Sequence, residues 1–380
     1  MREILPRLRE LVDAGTPFAL ATVVGVRGSA PRQPGAALAV TPDGRVIGSV
    51  SGGCVEGAVY EAATEALTTG EARLHTYGIA DEDAFAVGLT CGGTLEILVR
   101  AHDPRDPALT RLLDLTARDE PVAVATVTGG AAPLGARLVA TAEGAYGTLG
   151  HAGLDRTAAD EARGLLASGT TAVRHVGAGG QRRMDEVTLF VQSFRPPARM
   201  LVFGAIDHAA ATARMGAFLG YRVTVCDARP VFATPERFPG ADEVVCAWPH
   251  DYLAGTGVDE RTVVCVLTHD PKFDVPLLLA ALRTPAGYIG VMGSRRTHED
   301  RTRRLREAGA DDAGLARLRS PIGLDLGART PEETAVSIAA EIVAARWDGT
   351  GRPLSRVGGD IHRAARASGQ PMGAGSGRTS

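Results

Sequence analysis

A repeat constrains this chain more than any other feature of its sequence. Pro17-Phe18-Ala19-Leu20-Ala21-Thr22-Val23 is echoed by Pro121-Val122-Ala123-Val124-Ala125-Thr126-Val127. Gly35-Ala36 returns as Gly135-Ala136, Gly48-Ser49-Val50 as Gly147-Thr148-Leu149, and Ala62-Ala63-Thr64-Glu65-Ala66 as Ala158-Ala159-Asp160-Glu161-Ala162. Two stretches, about 15–103 and 120–195, therefore share one order of strands and helix. Residues 1–195 are predicted to form a duplicated α+β region.

The copies differ at one place that carries chemistry. In the first, Val55, Val59, Ala62, Ala63, Ala66 and Leu67 recur at helical spacing. The turn entering that helix is Ser51-Gly52-Gly53-Cys54, with Glu56 just inside. Glycines leave backbone N–H groups unscreened, and a helix start adds its positive dipole end, so Ser51, Gly52 and Gly53 suit an anion such as a phosphate. Cys54 in the same turn is either a reactive or ligating thiol at the helix start or a small packed cysteine. A second Cys-Gly-Gly, Cys91-Gly92-Gly93, precedes the alternating run Leu95 to Arg100. The second copy has Gly153 where the first has Cys54, and no Cys-Gly-Gly at its end. It keeps the scaffold and drops the thiols, which points to a function for Cys54 and Cys91.

Past a linker with Pro196-Pro197 the pattern changes. Apolar strands at Met200 to Phe203, Tyr221 to Cys226, Glu243 to Cys246, Thr262 to Leu267 and Tyr288 to Met292 alternate with helices. That order predicts a doubly wound, Rossmann-like parallel sheet over 200–350. Thr330, Pro331 and Glu333 mark the start of its last helix as a capping box. Residues 365–380 read as a disordered Gly/Ser tail. The fold class is thus α/β, a duplicated α+β region followed by a Rossmann-like domain.

The dinucleotide fingerprint of that domain is altered. Gly204 and Ala209 fit G-x-G-x-x-A, but Ile206 replaces the glycine that admits the pyrophosphate. Asp207 adds a negative charge, and two like charges about 4 Å apart repel by roughly 4 kcal/mol at an effective dielectric of about 20. NAD(P) binding is therefore disfavoured. Asp227 is placed like a ribose-binding acid or a strand-end turn residue. His269 and Asp270 lie where a strand meets its loop, the side on which doubly wound folds bind ligands. Gly293, Ser294, Arg295 and Arg296 open a helix and suit a phosphate, or are solvated surface charges.

Composition excludes other classes. A net charge of −3 gives no footprint for nucleic acid. No run of about 18 apolar residues exists for a membrane span. Five cysteines without a C-x-x-C pair, and a charged start that is no signal peptide, imply reduced thiols and a cytoplasmic location.

Ser51-Gly52-Gly53-Cys54-Val55-Glu56-Gly57, Leu89-Thr90-Cys91-Gly92-Gly93 and Gly28-Ser29-Ala30-Pro31-Arg32 together resemble the XdhC/CoxI family, accessory proteins of molybdenum hydroxylases. Thr224 to Pro230, Thr268-His269-Asp270, Gly293 to His298, Pro321 to Glu333 and Gly358 to His362 are similar to that family's C-terminal Rossmann domain. The resemblance implies a protein that binds the molybdenum cofactor (molybdopterin), assists its sulfuration and delivers it to a xanthine dehydrogenase or CO dehydrogenase-like client. It implies a chaperone more than a turnover enzyme, with a cysteine desulfurase as a further partner and a homo-oligomeric state. Cys54 and Cys91 become cofactor-contacting or metal-ligating thiols. Arg32, Gly92, Gly93, Gly204, Asp227 and the 293–296 loop join Ser51, Gly52 and Gly53 as cofactor-binding candidates. Glu56 would orient pterin nitrogens or cap its helix. The alternative is a nucleotide-dependent oxidoreductase acting on a small molecule, with Cys54 or His269 as catalyst.

Overall fold

The computed structural model describes residues 1–78, 93–268 and 270–358, and these fall into two compact units, Met1–Pro196 and Pro197–Val357. The first unit opens with α1 (Leu5–Asp13). Its first copy is β1 (Phe18–Arg27), β2 (Ala37–Val40), β3 (Val46–Gly48), α2 (Glu56–Thr69), β4 (Arg73–Tyr77) and β5 (Thr94–His102). α3 (Pro107–Ala117) leads to the second: β6 (Val122–Gly130), β7 (Arg137–Ala140), β8 (Ala145–Thr148), α4 (Ala152–Ser168), β9 (Ala172–Val176) and β10 (Val187–Phe194). Each copy is a five-stranded antiparallel sheet, and the strand orders, β3-β2-β1-β5-β4 and β8-β7-β6-β10-β9, correspond one to one.

Strand periodicity decides what each sheet buries. Ala19, Ala21 and Val23 face α2 with Val55, Val59 and Ala63, whereas Ala123, Ala125 and Val127 face α4 with Leu154, Ala158 and Ala162. The alternate residues, Phe18 and Leu20 in one sheet and Val122, Val124 and Phe194 in the other, share a core with α1 and α3. The sheets thus lie face to face with a helix on each outer side. Full burial of a side chain such as Phe18 stabilises by about 1.5–3 kcal/mol. Two hydrogen bonds cross reciprocally: Arg100 of the first copy donates to the Gly135 carbonyl, and Gln192 of the second donates to the Gly35 carbonyl at 3.1 Å.

The second unit contains β11 (Arg199–Phe203), α5 (Asp207–Phe218), β12 (Arg222–Asp227), β13 (Glu243–Cys246), α6 (Pro249–Gly255), β14 (Val263–Val266), α7 (Pro271–Leu282), β15 (Tyr288–Val291), α8 (Arg295–Glu307), α9 (Asp312–Leu315), β16 (Leu318–Arg319) and α10 (Pro331–Trp347). All six strands run parallel in the order β13-β12-β11-β14-β15-β16, a Rossmann sheet whose order reverses between β11 and β14. α5 and α10 cover one face through Ala209, Ala213, Ile338 and Ile342; Leu253, Leu277, Leu278 and Leu305 cover the other. Thr330 and Glu333 form the capping box of α10. No helix among the described residues is long and apolar enough to cross a membrane.

Candidate functional site

In the first unit the chain leaves β3 at Gly48 and enters α2 at Glu56. Gly52 and Gly53 sit at φ of +74° and +118°, a region that favours glycine, and a Cβ on either would meet open space. The Glu56 carboxylate folds back into this turn. One oxygen accepts from Ser49 Oγ at 2.7 Å, Ser51 N at 2.9 Å and Val50 N at 3.3 Å. The other accepts from Gly53 N at 2.8 Å and from the Ser51 hydroxyl. Gly52 N donates to Ser49 Oγ at 3.0 Å. Burial pushes the Glu56 pKa up, but the hydrogen bonds from Ser51, Ser49 and the Ser51 and Gly53 amides outweigh it and hold the carboxyl at about 2.

These contacts correct one expectation. The amides of Ser51, Gly52 and Gly53 do form an anion-accepting turn, but the protein's own carboxylate and the Ser49 hydroxyl already occupy it. A phosphate there would compete with those contacts and face a like charge. Glu56 closes the turn, which accords with the capping alternative for this residue. What the turn offers to solvent is the exposed glycine pair and the half-buried Cys54.

Cys54 packs against the cluster that contains Ala30, Val50 and Val55. A Cβ on Gly93 would lie 2.1 Å from the Ser29 carbonyl oxygen, so only glycine lets the start of β5 rest on the Gly28-Ser29 stretch. Three separate motif blocks therefore meet at one end of the first sheet. Arg32, at the end of one of them, pairs with Glu3 at 2.6 Å. Cys91 and Gly92 lie outside the described residues. No group of three or more His, Cys, Asp or Glu side chains that could hold a metal ion occurs among the described residues.

In the second unit the loops after β11, β12, β14 and β15 carry the predicted residues. Asp227 is buried and accepts from Ala205 N at 2.7 Å and from the Arg229 amide, Nε and Nη2 at 2.8–2.9 Å. Burial raises its pKa, and these hydrogen bonds and the Arg229 charge bring it below the usual carboxylate range. Both oxygens are thus engaged inside the fold, by Ala205 and Arg229. Ile206 stands at the N-cap of α5 without a side-chain hydrogen bond, and the exposed Asp207 lies 3.7 Å from Arg237. Gly204 holds φ +109° beside Thr268.

Asp270 caps α7 by accepting from Lys272 N at 3.0 Å, which gives it a structural task. His269 lies outside the described residues. Ser294 caps α8 by accepting from Thr297 N at 3.1 Å. Arg295 and Arg296 are exposed and make no ion pair among the described residues. The arginine that sequence reasoning missed is Arg301, nearly buried and paired with Asp274 at 3.0 Å. It also donates to the Met292 carbonyl at 3.0 Å, pinning α8 beneath the Gly293 loop. Its signal was Leu305 four residues on, the apolar mark of that helix's buried face.

Residues 11–78 and 115–177 match the XdhC and CoxI family, and residues 200–342 match the XdhC Rossmann domain. A Bacillus subtilis strain 168 protein, named as a probable subunit of xanthine dehydrogenase, is 30% identical over 331 residues, 86% of this chain and 92% of that one. The chain belongs to the XdhC and CoxI family. Another relative of this XdhC protein, the molybdenum cofactor insertion chaperone PaoD of Escherichia coli strain K12, is 28% identical over 91% of this chain and 88% of its own. A crystal structure described as a xanthine dehydrogenase from Bacillus halodurans has the same fold, with a TM-score of 0.70, 24% identity, and coverage of 93% of this chain and 97% of that one.

Proposed function

We propose that this XdhC protein binds the molybdenum cofactor, assists its sulfuration and inserts it into a xanthine dehydrogenase or CO dehydrogenase-like hydroxylase, acting as a chaperone more than as a turnover enzyme. One observation carries the reading: Gly93 rests on the Gly28-Ser29 stretch, and Cys54, beside an exposed glycine pair, packs on the cluster that holds Ala30, so three motif blocks meet in the copy that has the thiol. A relative named as a molybdenum cofactor insertion chaperone along nearly its whole length supports it.

The residues fit this cofactor in part. A half-buried thiol beside bare backbone is a donor of the soft class that molybdenum accepts. The amides of Ser51 and Gly53 do not fit its phosphate, because Glu56 holds them. When bound, the group supplies the metal centre that the client uses for hydroxylation. The chain's own part is to hold it: Cys54, with Cys91, contacts the metal end, and Glu56 fixes the turn so that Cys54 and the glycine pair are presented without rearrangement. In the second unit, Gly293, Ser294, Arg295 and Arg296 offer a separate anion site. Asp227 engaged by Arg229 and Ile206 in place of glycine disfavour NAD(P) as its ligand. A cysteine desulfurase supplies the sulfur, the protein acts in the cytoplasm, and it works as a homo-oligomer.

Purification of the full chain under anaerobic conditions, followed by molybdenum and pterin assay, tests the reading. Molybdenum and pterin should co-purify in equal amounts with the wild type and be lost from a Cys54→Ser, Cys91→Ser variant of unchanged circular dichroism. Equal retention by that variant would remove the thiols from the proposal.

A further inference from the structure

The last helix of the second unit is apolar on two sides. Ala335, Ile338, Ala339 and Ile342 of α10 are buried, and Ile338 and Ile342 join the core of the sheet. On the other side Val336 is 47% exposed, Val343 41% and Trp347 56%, with Ala340 half-buried between them. These positions, three or four residues apart, line up in one stripe along the helix. A helix that is apolar all round belongs in an interior, and the outer stripe of α10 is open to solvent. We infer that two copies of this chain pack α10 on α10, antiparallel, with the two Ala340 side chains at the crossing. This names the surface of the homo-oligomer proposed above and rests on that reading.

The stripe is complementary to itself in one orientation. With Val336 laid opposite Val343 of the second copy, the two-fold axis passes beside Ala340. Alanine is small enough there for the two helices to approach to about 8 Å. Trp347 then lies over the first turn of the other helix. A bulky residue at position 340 would hold these apolar ends apart.

Charge selects the same orientation. The first turn of α10 carries Glu332 and Glu333, and the last turn carries Arg346. Glu332 holds an exposed pair with Arg214 at 3.2 Å through one oxygen. The Arg346 guanidinium lies 5.0 Å over the Trp347 ring, alongside the stripe. Antiparallel packing brings Arg346 to Glu332 of the second copy at both ends, and it sets the helix dipoles head to tail. Parallel packing would oppose like charges at each end. A lipid surface fits less well, since Glu332 and Glu333 would face its anionic headgroups. α5 packs beside α10 and ends at Phe218, 83% exposed, so the apolar surface is broader than one helix pair.

The mass of the full chain in solution tests this. Light scattering behind size exclusion should give a dimer for the wild type and a monomer for Val343→Arg, whose circular dichroism should be unchanged because that side chain is exposed. Ala340→Cys, once oxidised, should yield a disulfide-linked dimer that the wild type does not form, since the two-fold brings this residue against its own counterpart. Arg346→Glu should weaken dimerisation about tenfold, and Glu332→Arg added to it should restore the dimer. A dimer that survives Val343→Arg, fails to cross-link through Ala340→Cys, or is not restored by the double reversal would overturn this surface and leave the homo-oligomer to form elsewhere. A monomeric wild type would overturn both. None of these readouts depends on the cofactor, so they stand apart from molybdenum retention.

Discussion

The two copies in the first unit make the same turn and put different things on it. In the first, Ser49, Val50 and Gly53 donate to Glu56. In the second, Thr148 Oγ1 donates to Asp155 at 2.8 Å and Leu149 N at 2.7 Å. Gly52 N reaches Ser49 Oγ at 3.0 Å, as Gly150 N reaches Thr148 Oγ1 at 3.0 Å. A carboxylate-locked turn is therefore a device of the scaffold, present where no thiol is. The contrast lies at Cys54 and Gly153. A Cβ on Gly153 would lie 2.2 Å from the Gly179 carbonyl oxygen, so main chain fills in one copy the place that a thiol takes in the other. The shared lock makes Glu56 part of the architecture, and the residue that differs, Cys54, is the one proposed to act.

The strongest way to break this comparison is Glu56→Ala. It strips the acceptor from several donors at once, and we expect a loss of about 3–4 kcal/mol, since each hydrogen bond to a charged group contributes roughly 1.5–3 kcal/mol and water replaces some. Chemical denaturation reads it, and a loss under about 1 kcal/mol would mean that the turn holds without its carboxylate.

Gly153→Cys asks whether the second copy can accept the first copy's residue. The clash with Gly179 should cost about 2–3 kcal/mol, in the range of overpacked sites. Full stability with a thiol reactive towards maleimide would show that the second copy has room after all.

Acid separates the lock from the rest of the fold. The Glu56 pKa in the folded chain, about 2, lies below its ordinary value of 4.5. Its contribution to stability is therefore complete above the ordinary value and is lost as pH falls through the folded one. Melting temperatures taken from about pH 6 to about 2 should fall more steeply in the wild type than in Glu56→Gln. Parallel curves would assign the acid loss to other carboxylates.

The smallest effect on stability belongs to the residue with the largest functional assignment. Cys54→Ala should change the unfolding free energy by about 1 kcal/mol or less, because the side chain is half-buried and small, while molybdenum retention falls. A loss of several kcal/mol would make Cys54 a packing residue.

Much of the fold was legible because two periodic signals were strong. Strand and helix alternation disclosed the Rossmann sheet, and the repeated Pro-start strands disclosed the duplication. The site was harder to read, and particular residues show why. Thr330-x-x-Glu333 was legible as a cap because an apolar helix follows a proline. Gly53-x-x-Glu56 has the same spacing, but its glycines resembled an empty anion cradle. Asp227 read equally as a ribose-binding acid or a strand-end turn residue, because its clasp by Arg229, two residues on, depends on side-chain geometry. Arg100 gave no local signal, since its burial depends on a second sheet lying opposite.

The reciprocal bonds from Arg100 to Gly135 and from Gln192 to Gly35 have a consequence for synthesis on the ribosome. The inner face of each sheet is completed by the other's, so the first copy, with α1 alone against Phe18 and Leu20, cannot close its core when its own last strand emerges. It must wait for Phe194, and at about 5–20 residues per second the delay is roughly 5–20 seconds. Throughout it, Val24 and Leu98, which pack against Phe190 of the second copy, remain open to solvent. The nascent chain thus has an apolar sheet face that itself needs shielding until the second copy is complete.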